Sequence, residues 1–144
     1  MTIQRRPSNI AREFVRRAVP KKQPQTPKPN PDGFPEPVKH IIRARSGGIC
    51  ELDSCGVAQV IHHRRPRGVG GTSLGWVNHA ANALHLADAC HLRIELHRTE
   101  AYCNGWLVSQ LGDKQSADVP VLYRGRWVLL DDRGGITPIE GGVA

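Results

Sequence analysis

Aromatic side chains are scarce in this 144-residue chain, in which Phe, Trp and Tyr together make up 5% of the residues. The hydrophobic core must therefore consist mainly of Val, Leu, Ile and Ala. The overall hydrophobic fraction of 39% suits one small globular unit joined to polar chain. No run of about 18 apolar residues occurs, so we expect no membrane-spanning helix. The length fits one domain better than two separate cores.

The chain also lacks the continuous apolar stretch of a secretory signal, and it has only four cysteines. Its first ten residues, MTIQRRPSNI, carry charge where a signal peptide needs an apolar segment. We therefore expect a cytoplasmic protein. In that reducing compartment the cysteines are expected to be thiols or metal ligands rather than disulfides.

Acidic residues are few in the first 45 positions, which hold eleven Lys and Arg against three Asp and Glu. The whole chain has a formal net charge of +7, whereas residues 46–144 carry −1. Eight of the eleven prolines fall within residues 1–37, so this segment is predicted to be a largely disordered basic arm. A basic arm favours a polyanionic partner such as nucleic acid. The alternative is a tail that only improves solubility.

After the arm, the residue pattern predicts a small α+β fold. A short helix is expected over 38–45, a strand over 58–62, and a second strand or turn over 82–86. A glycine-rich loop separates the two strands. A helix of roughly 89–99 follows, with Asp88 as its N-cap. The expected order is therefore strand, long loop, strand and helix.

The character of the chain changes after residue 112. Apolar runs within 119–139 are interrupted by turn residues, which predicts a β-hairpin or a small meander. We therefore divide the chain into the arm at 1–37, a central domain at 38–112 and a β-hairpin extension at 113–144.

Histidines are concentrated in the central domain, where a doublet, His62-His63, precedes a third histidine, His91. Imidazole side chains suit the binding of a divalent metal and the activation of a water beside it. On the predicted helix, His91 and Glu95 are four residues apart and lie on one face, where both could meet one ion. The isolated histidines are expected to be ordinary hydrogen-bonding residues; these are His79, His85 and His97.

The doublet at 62–63, together with Asn82 and His91, resembles the motif of HNH endonucleases. Eight residues separate Asn82 from His91, a spacing common in that family. The segment R-x-R-S-G-G-x-C at 43–50 and the loop HHRRPRGVGG are also similar to the family. The likeness covers about residues 38–112 and is strongest to HNH proteins of bacteriophages that infect actinobacteria. It implies a ββα-metal fold, which agrees with the order of elements predicted above.

The resemblance also implies roles for individual residues. His63 corresponds to the general base that activates water, and Asn82 to the residue that braces the loop between the strands and orients that base. His62 and His91 correspond to ligands of a single catalytic divalent metal, with Glu95 as a candidate for an additional ligand. Phosphate contacts are expected from four arginines, Arg64, Arg65, Arg67 and Arg93.

The function implied by the resemblance is metal-dependent hydrolysis of DNA phosphodiester bonds, by nicking or by double-strand cleavage. The metal would be Mg, Mn, Ni or Zn, and the products would carry 5′-phosphate and 3′-hydroxyl ends. The family context further suggests a phage protein that acts in the host cytoplasm beside the terminase that packages the genome. The alternative hypothesis is a non-catalytic, zinc-finger-like DNA-binding or adaptor protein with structural histidines.

The cysteines resemble an incomplete version of the structural zinc site that many HNH domains carry. Cys50 and Cys55 form a first pair, and Cys90 belongs to a second pair in which Ala87 occupies the partner position. Three candidates for a fourth ligand remain open, namely Cys103, Asp88 and His85. The alternative is that the site has decayed and that packing alone holds the turn.

Overall fold

A computed structural model describes residues 33–68 and 72–141 of the chain. Residues 1–32, 69–71 and 142–144 lie outside this description, so the predicted disorder of the arm concerns residues that the structure does not describe, except for 33–37. The prediction that disorder extends to residue 37 is wrong for residues 33–37, because Phe34 is buried with an exposed fraction of 5%. The folded part of the protein therefore begins before residue 38.

Helix α1 spans Glu36–Ser46 and starts two residues earlier than predicted. Pro37 lies in the first turn, where the missing N–H has no helical partner to lose. The helix ends at Gly47, whose φ of 61° is left-handed and whose N–H donates to the carbonyl of Arg43. Ile42 is fully buried on the inner face.

A two-stranded antiparallel ribbon carries the histidine doublet. Strand β1 spans Val60–His63 and strand β2 spans Ala83–Leu86, close to the predicted strands. His62 lies opposite Leu84 in the register. Because successive strand residues point to opposite faces, the two histidines of the doublet face opposite sides of the ribbon.

The chain between the two strands forms two short 3₁₀ helices, Gly75–Asn78 and Ala80–Asn82. After β2, helix α2 spans Asp88–Leu96 and helix α3 spans Arg98–Cys103. The single helix predicted over 89–99 is therefore wrong at its end, because His97 leaves helical geometry with φ −122° and ψ 60°.

The predicted N-cap of this helix is also wrong by one residue. Ala87 holds the N-cap position, and Asp88 is the first residue of α2. The backbone N–H of Asp88 donates to Oε1 of Gln59 at 3.1 Å. The side chain of Gln59, which precedes β1, therefore accepts one of the N–H groups that have no partner at the start of α2.

The carboxyl-terminal part forms the predicted small meander. Strands β3 (Val121–Tyr123), β4 (Arg126–Leu130) and β5 (Ile136–Pro138) follow one another in one antiparallel sheet. The α+β class is thus confirmed, with helices beside two small antiparallel sheets. No helix in the described part of the chain is long and apolar enough to cross a bilayer.

The main hydrophobic cluster joins the ribbon, α2 and the meander. Its fully buried members come from all three, including Leu84, Ile94 and Val128. A second cluster lies on the opposite side of the ribbon, where α1 packs through Ile42 against Ala83. The ribbon is therefore covered on one face by α1 and on the other by α2 and the meander.

A buried ion pair connects α1 with the chain that follows it. Arg45 donates from Nε and Nη2 to the carboxylate of Glu51 at 2.7 and 2.9 Å, and both side chains are inaccessible to solvent. The hydroxyl of Tyr123 and the backbone N–H of His85 also donate to this carboxylate. One acidic group therefore holds α1, β2 and the meander together.

Candidate functional site

His62, His91 and Glu95 meet where strand β1 faces helix α2. One ligand atom of each residue lies within 4.8 Å of those of the other two. The rings of His62 and His91 are 5.3 Å apart between centroids, and Glu95 Oε1 lies 4.0 Å from His91 Nε2. The structure thus brings together the three residues that the sequence proposed as ligands of one metal. We call this group the histidine–glutamate triad.

The backbone carbonyl of Trp106 sets the hydrogen-bonding state of His62. His62 Nε2 lies 3.2 Å from this oxygen, and because a carbonyl can only accept, Nε2 carries the hydrogen. Nδ1 is then the nitrogen with a free lone pair. Burial lowers the pKa of His62 to about 4, against the opposing effect of the hydrogen bond that it donates to the carbonyl of Trp106, so the imidazole is neutral near pH 7. A neutral imidazole is the form that binds metals.

The three side chains of the triad differ in their exposure to solvent. His62 is buried, His91 is partly exposed and Glu95 is exposed. Two imidazole nitrogens and one carboxylate oxygen form a donor set that fits zinc, manganese or nickel. Since the carboxylate edge faces solvent, a bound ion would keep positions for water or substrate oxygens.

His63 has different neighbours, on the other face of the ribbon. Its ring stacks on Phe34 with centroids 3.9 Å apart and an interplanar angle of 16°. Its Nε2 lies 3.0 Å from Oδ1 of Asn78. Burial lowers the pKa of His63, the hydrogen bond with Asn78 opposes this, and the positive charge of Arg67 lowers the pKa further.

Asn82 braces the loop between the strands, and it is almost fully buried. Its Oδ1 accepts from the backbone N–H of Arg65 at 2.8 Å, and its Nδ2 donates to the carbonyl of Val77 at 2.7 Å. The side-chain contact with His63, however, comes from Asn78. The expectation that Asn82 itself orients His63 is corrected in this respect, because its amide is engaged with the backbone of Arg65 and Val77 and with the hydroxyl of Ser116.

Arg64 is not placed to contact a phosphate, contrary to the expectation from the sequence. Its side chain is completely buried, and burial lowers its pKa to about 9, which still leaves a cation at neutral pH. The guanidinium donates at 2.8 to 3.0 Å to four backbone carbonyls, those of Ala81, Gly105, Ser116 and Val119. Arg64 therefore joins the β1–β2 connection to the chain after α3.

The other three arginines differ in their availability to a ligand. Arg65 is also misassigned, because it is buried and donates to the carbonyls of Gln110 and Gly112 at 2.6 and 2.7 Å. Arg93 lies at the surface, pairs with Glu100 and covers the ring of Trp106 at 5.3 Å. Arg67 has a positive charge that lowers the pKa of His63.

Cys50, Asp53, Cys55 and Cys90 form a second cluster, with one ligand atom each within 4.8 Å of all the others. The sulfurs of Cys55 and Cys90 lie 3.0 Å apart, and Cys90 Sγ lies 3.5 Å from Asp53 Oδ1. Burial raises the pKa of the Cys90 thiol, so a thiolate there needs a positive partner. Three sulfurs and one carboxylate could hold a metal such as zinc.

Asp53 is the member of this cysteine cluster that the sequence prediction missed. The three candidates for a fourth ligand lie elsewhere: Cys103 and Asp88 are exposed outside the cluster, and His85 Nδ1 contacts the hydroxyl of Ser46 at 2.7 Å. A usable signal was present, because Cys50 and Asp53 are separated by two residues, the spacing of a Cys-x-x-Cys pair.

The two clusters allow different chemistry. The cysteine cluster has four donors, a number that suits a structural metal, whereas the triad has three donors and an open side. Comparison with models of protein families, with curated proteins and with solved structures found no match.

Proposed function

We propose that the protein is a metal-dependent endonuclease of the HNH type that hydrolyses phosphodiester bonds in DNA. The observation that carries the proposal is the convergence of His62, His91 and Glu95 within 4.8 Å, beside a second histidine, His63, in the same strand. Three metal ligands alone could equally well hold an ion with a purely structural role. The open side of the triad favours hydrolysis. His63 faces the other side of the ribbon, but it is the last residue of β1, and at the end of the strand its unligated imidazole could act on a substrate held at the triad.

The triad would hold one divalent ion that supplies positive charge for a non-bridging phosphate oxygen and for the departing 3′ oxygen. His63 would accept a proton from water while the water oxygen forms its bond to phosphorus. The bond from phosphorus to the 3′ oxygen breaks, and that oxygen gains a proton from solvent. His63 suits this step because its lowered pKa keeps the ring neutral at pH 7.

Charge supports DNA as the substrate. The first 45 residues carry a net charge of +8, which would neutralise backbone phosphates of a bound DNA. Of the four arginines first expected to contact phosphate, Arg67 and Arg93 remain candidates, since Arg64 and Arg65 are buried. The positive charge of Arg67 also lowers the pKa of His63.

We propose that the cysteine cluster binds one structural zinc ion, with Asp53 as the fourth ligand. The cluster brings the turn after α1 close to the start of α2 through Cys50 and Cys90, which are 0% and 6% exposed. A zinc ion there would hold α2, and with it His91, at a fixed distance from the ribbon.

The experiment that tests the enzyme assignment is a supercoiled-plasmid nicking assay with Mg²⁺, Mn²⁺ or Ni²⁺. His63→Ala should remove nicking, whereas His79→Ala, which changes an exposed histidine paired with Asp132, should not. Equal nicking by the parent and His63→Ala, or no nicking by either with any of the metals, would contradict the assignment.

A zinc-finger-like DNA-binding protein is the second candidate, and the cysteine cluster favours it. It predicts DNA binding that is unaffected by His63→Ala, accompanied by no strand cleavage. Gel-shift and nicking assays on the same preparation separate the two functions.

A further inference from the structure

Asn78 is the residue that contacts the polar edge of His63. Its side-chain Oδ1 lies 3.0 Å from His63 Nε2, within normal hydrogen-bond distance. An amide oxygen can only accept, so this contact requires a hydrogen on Nε2. The lone pair of the neutral ring is then on Nδ1.

We propose that Asn78 is a positioning residue that holds His63 in its Nε2–H tautomer and so makes Nδ1 the basic nitrogen. The inference deepens the proposed nuclease function and rests on it for its catalytic consequence. In a general base, the nitrogen that accepts the proton is fixed by the hydrogen bond at the other nitrogen.

Phe34 restricts the same ring in a complementary way. The nearly parallel stack, at 3.9 Å and 16°, opposes any tilt of the imidazole but leaves a half-turn about its own axis free. A half-turn would exchange the two edges of the ring and break the contact with Asn78. Phe34 therefore sets the plane of His63, and Asn78 selects which edge faces inward.

Asn82 acts on His63 through this neighbour. Asn78 is the last residue of the 3₁₀ helix Gly75–Asn78, whose Val77 carbonyl accepts from Asn82 Nδ2 at 2.7 Å. Asn82 also accepts from the backbone of Arg65, two residues after His63. One buried amide thus fixes the separation between the segment that carries Asn78 and the strand that carries His63.

The test compares three substitutions at position 78 in the full chain. Asn78→Leu keeps the size of the side chain and removes the acceptor, Asn78→Ala removes it without adding bulk, and Asn78→Asp retains an acceptor oxygen. Two-bond ¹⁵N–¹H spectra of the histidine rings, recorded under mildly alkaline conditions, report the tautomer of His63. Thermal unfolding verifies that each variant is folded.

The parent and Asn78→Asp should show a protonated Nε2 and an unprotonated Nδ1 in His63. Asn78→Leu and Asn78→Ala should show a mixture of tautomers. Their kcat for nicking should fall by about 10- to 100-fold, as for other residues that orient a catalytic histidine, with the KM for DNA little changed. Asn78→Asp should retain most of the parent kcat.

A protonated Nδ1 in the parent, or a tautomer unchanged in both Asn78→Leu and Asn78→Ala, would overturn the proposal. Loss of kcat in Asn78→Asp equal to that in Asn78→Leu would also overturn it. Absence of nicking by the parent refutes the nuclease assignment separately, because the spectra decide the role of Asn78 without any activity.

Discussion

The Sγ atoms of Cys55 and Cys90 lie 3.0 Å apart, although one belongs to the turn after α1 and the other to helix α2. This separation is longer than the disulfide bond of about 2.05 Å, and both residues are free thiols. Together with Cys50 and Asp53, they form a group whose ligand atoms lie within 4.8 Å of one another. The four donors of this cluster could hold a metal ion such as zinc.

We therefore expect one zinc per chain in the purified parent. Cys90→Ser and Asp53→Asn should lower the zinc content, because each removes a charged ligand, and should lower the melting temperature by about 5 °C or more. Elemental analysis and thermal unfolding measure the two effects. Cys103→Ser is the control, since Cys103 is an exposed cysteine outside the cluster. A parent without zinc, or equal loss in the control, contradicts this expectation.

Glu95 should set the affinity of the triad for its metal. Glu95→Gln keeps the shape but removes the charge, so the Mn²⁺ concentration for half-maximal nicking should rise by about 10- to 100-fold. Arg98→Gln removes the other partner of Glu95, at 3.3 Å, and serves as the matched control. An unchanged metal requirement in Glu95→Gln would exclude this carboxylate as a ligand.

Arg64 should be essential for stability. Arg64→Met retains the aliphatic stem but leaves four carbonyls, three of them in buried hydrogen bonds, without their charged donor, so the free energy of unfolding should fall by at least about 3 kcal/mol. Urea unfolding measures the loss. Arg126→Met changes an exposed arginine of β4 and should shift stability by less than about 0.5 kcal/mol. Similar losses in both variants would show that Arg64 has no special structural role.

Stability should fall on acidification partly because of His85. Burial lowers the pKa of His85, and the charges of Arg43 and Arg45 add to this against the attraction of Glu51. The unfolded chain therefore binds the proton first, at its pKa of about 6.5. The free energy of unfolding is at its full value above that pH and decreases as the pH falls towards the folded pKa.

The measurement is the free energy of unfolding at about pH 8 and at about pH 5.5, on either side of the unfolded pKa. His85→Asn removes the titration and retains a polar partner for the hydroxyl of Ser46. The variant should lose less stability between the two pH values than the parent does. His62 and His63, whose pKa values are also lowered, remain in both proteins, so the difference reports His85. Identical pH dependence would refute this role.

The basic arm should contribute to DNA affinity through charge alone. Deletion of residues 1–32 removes eight of the twenty Lys and Arg residues, so the slope of log affinity against log salt concentration should become shallower. Fluorescence anisotropy with a labelled duplex at several salt concentrations measures the slope. An unchanged slope would mean that the arm serves another purpose, such as solubility.

Local spacing explains which parts of the candidate site could be predicted. His91 and Glu95 are four residues apart, so any helix that contains both brings them to one face. Short apolar runs bounded by turn residues likewise located both sheets within a few residues. Such predictions depend only on neighbours along the chain.

Long-range contacts explain what the sequence did not reveal. Arg64 has the appearance of a surface charge within a basic run, and its burial depends on carbonyls from distant segments. Asn78 has no local signal either, because its contact with His63 depends on the path of the loop. Asp53 is the intermediate case, since its spacing from Cys50 was visible but its approach to Cys90 was not.

The partners of Arg64 also bear on the biosynthesis of the protein. Its last acceptor belongs to Val119, so a nascent chain that has not yet been elongated past this residue cannot bury the arginine that directly follows the histidine doublet. Folding that proceeds from the amino terminus during translation would have to wait at this point. The triad and His63 would thus reach their final arrangement late in synthesis, and a ribosome-bound fragment would not carry the assembled site.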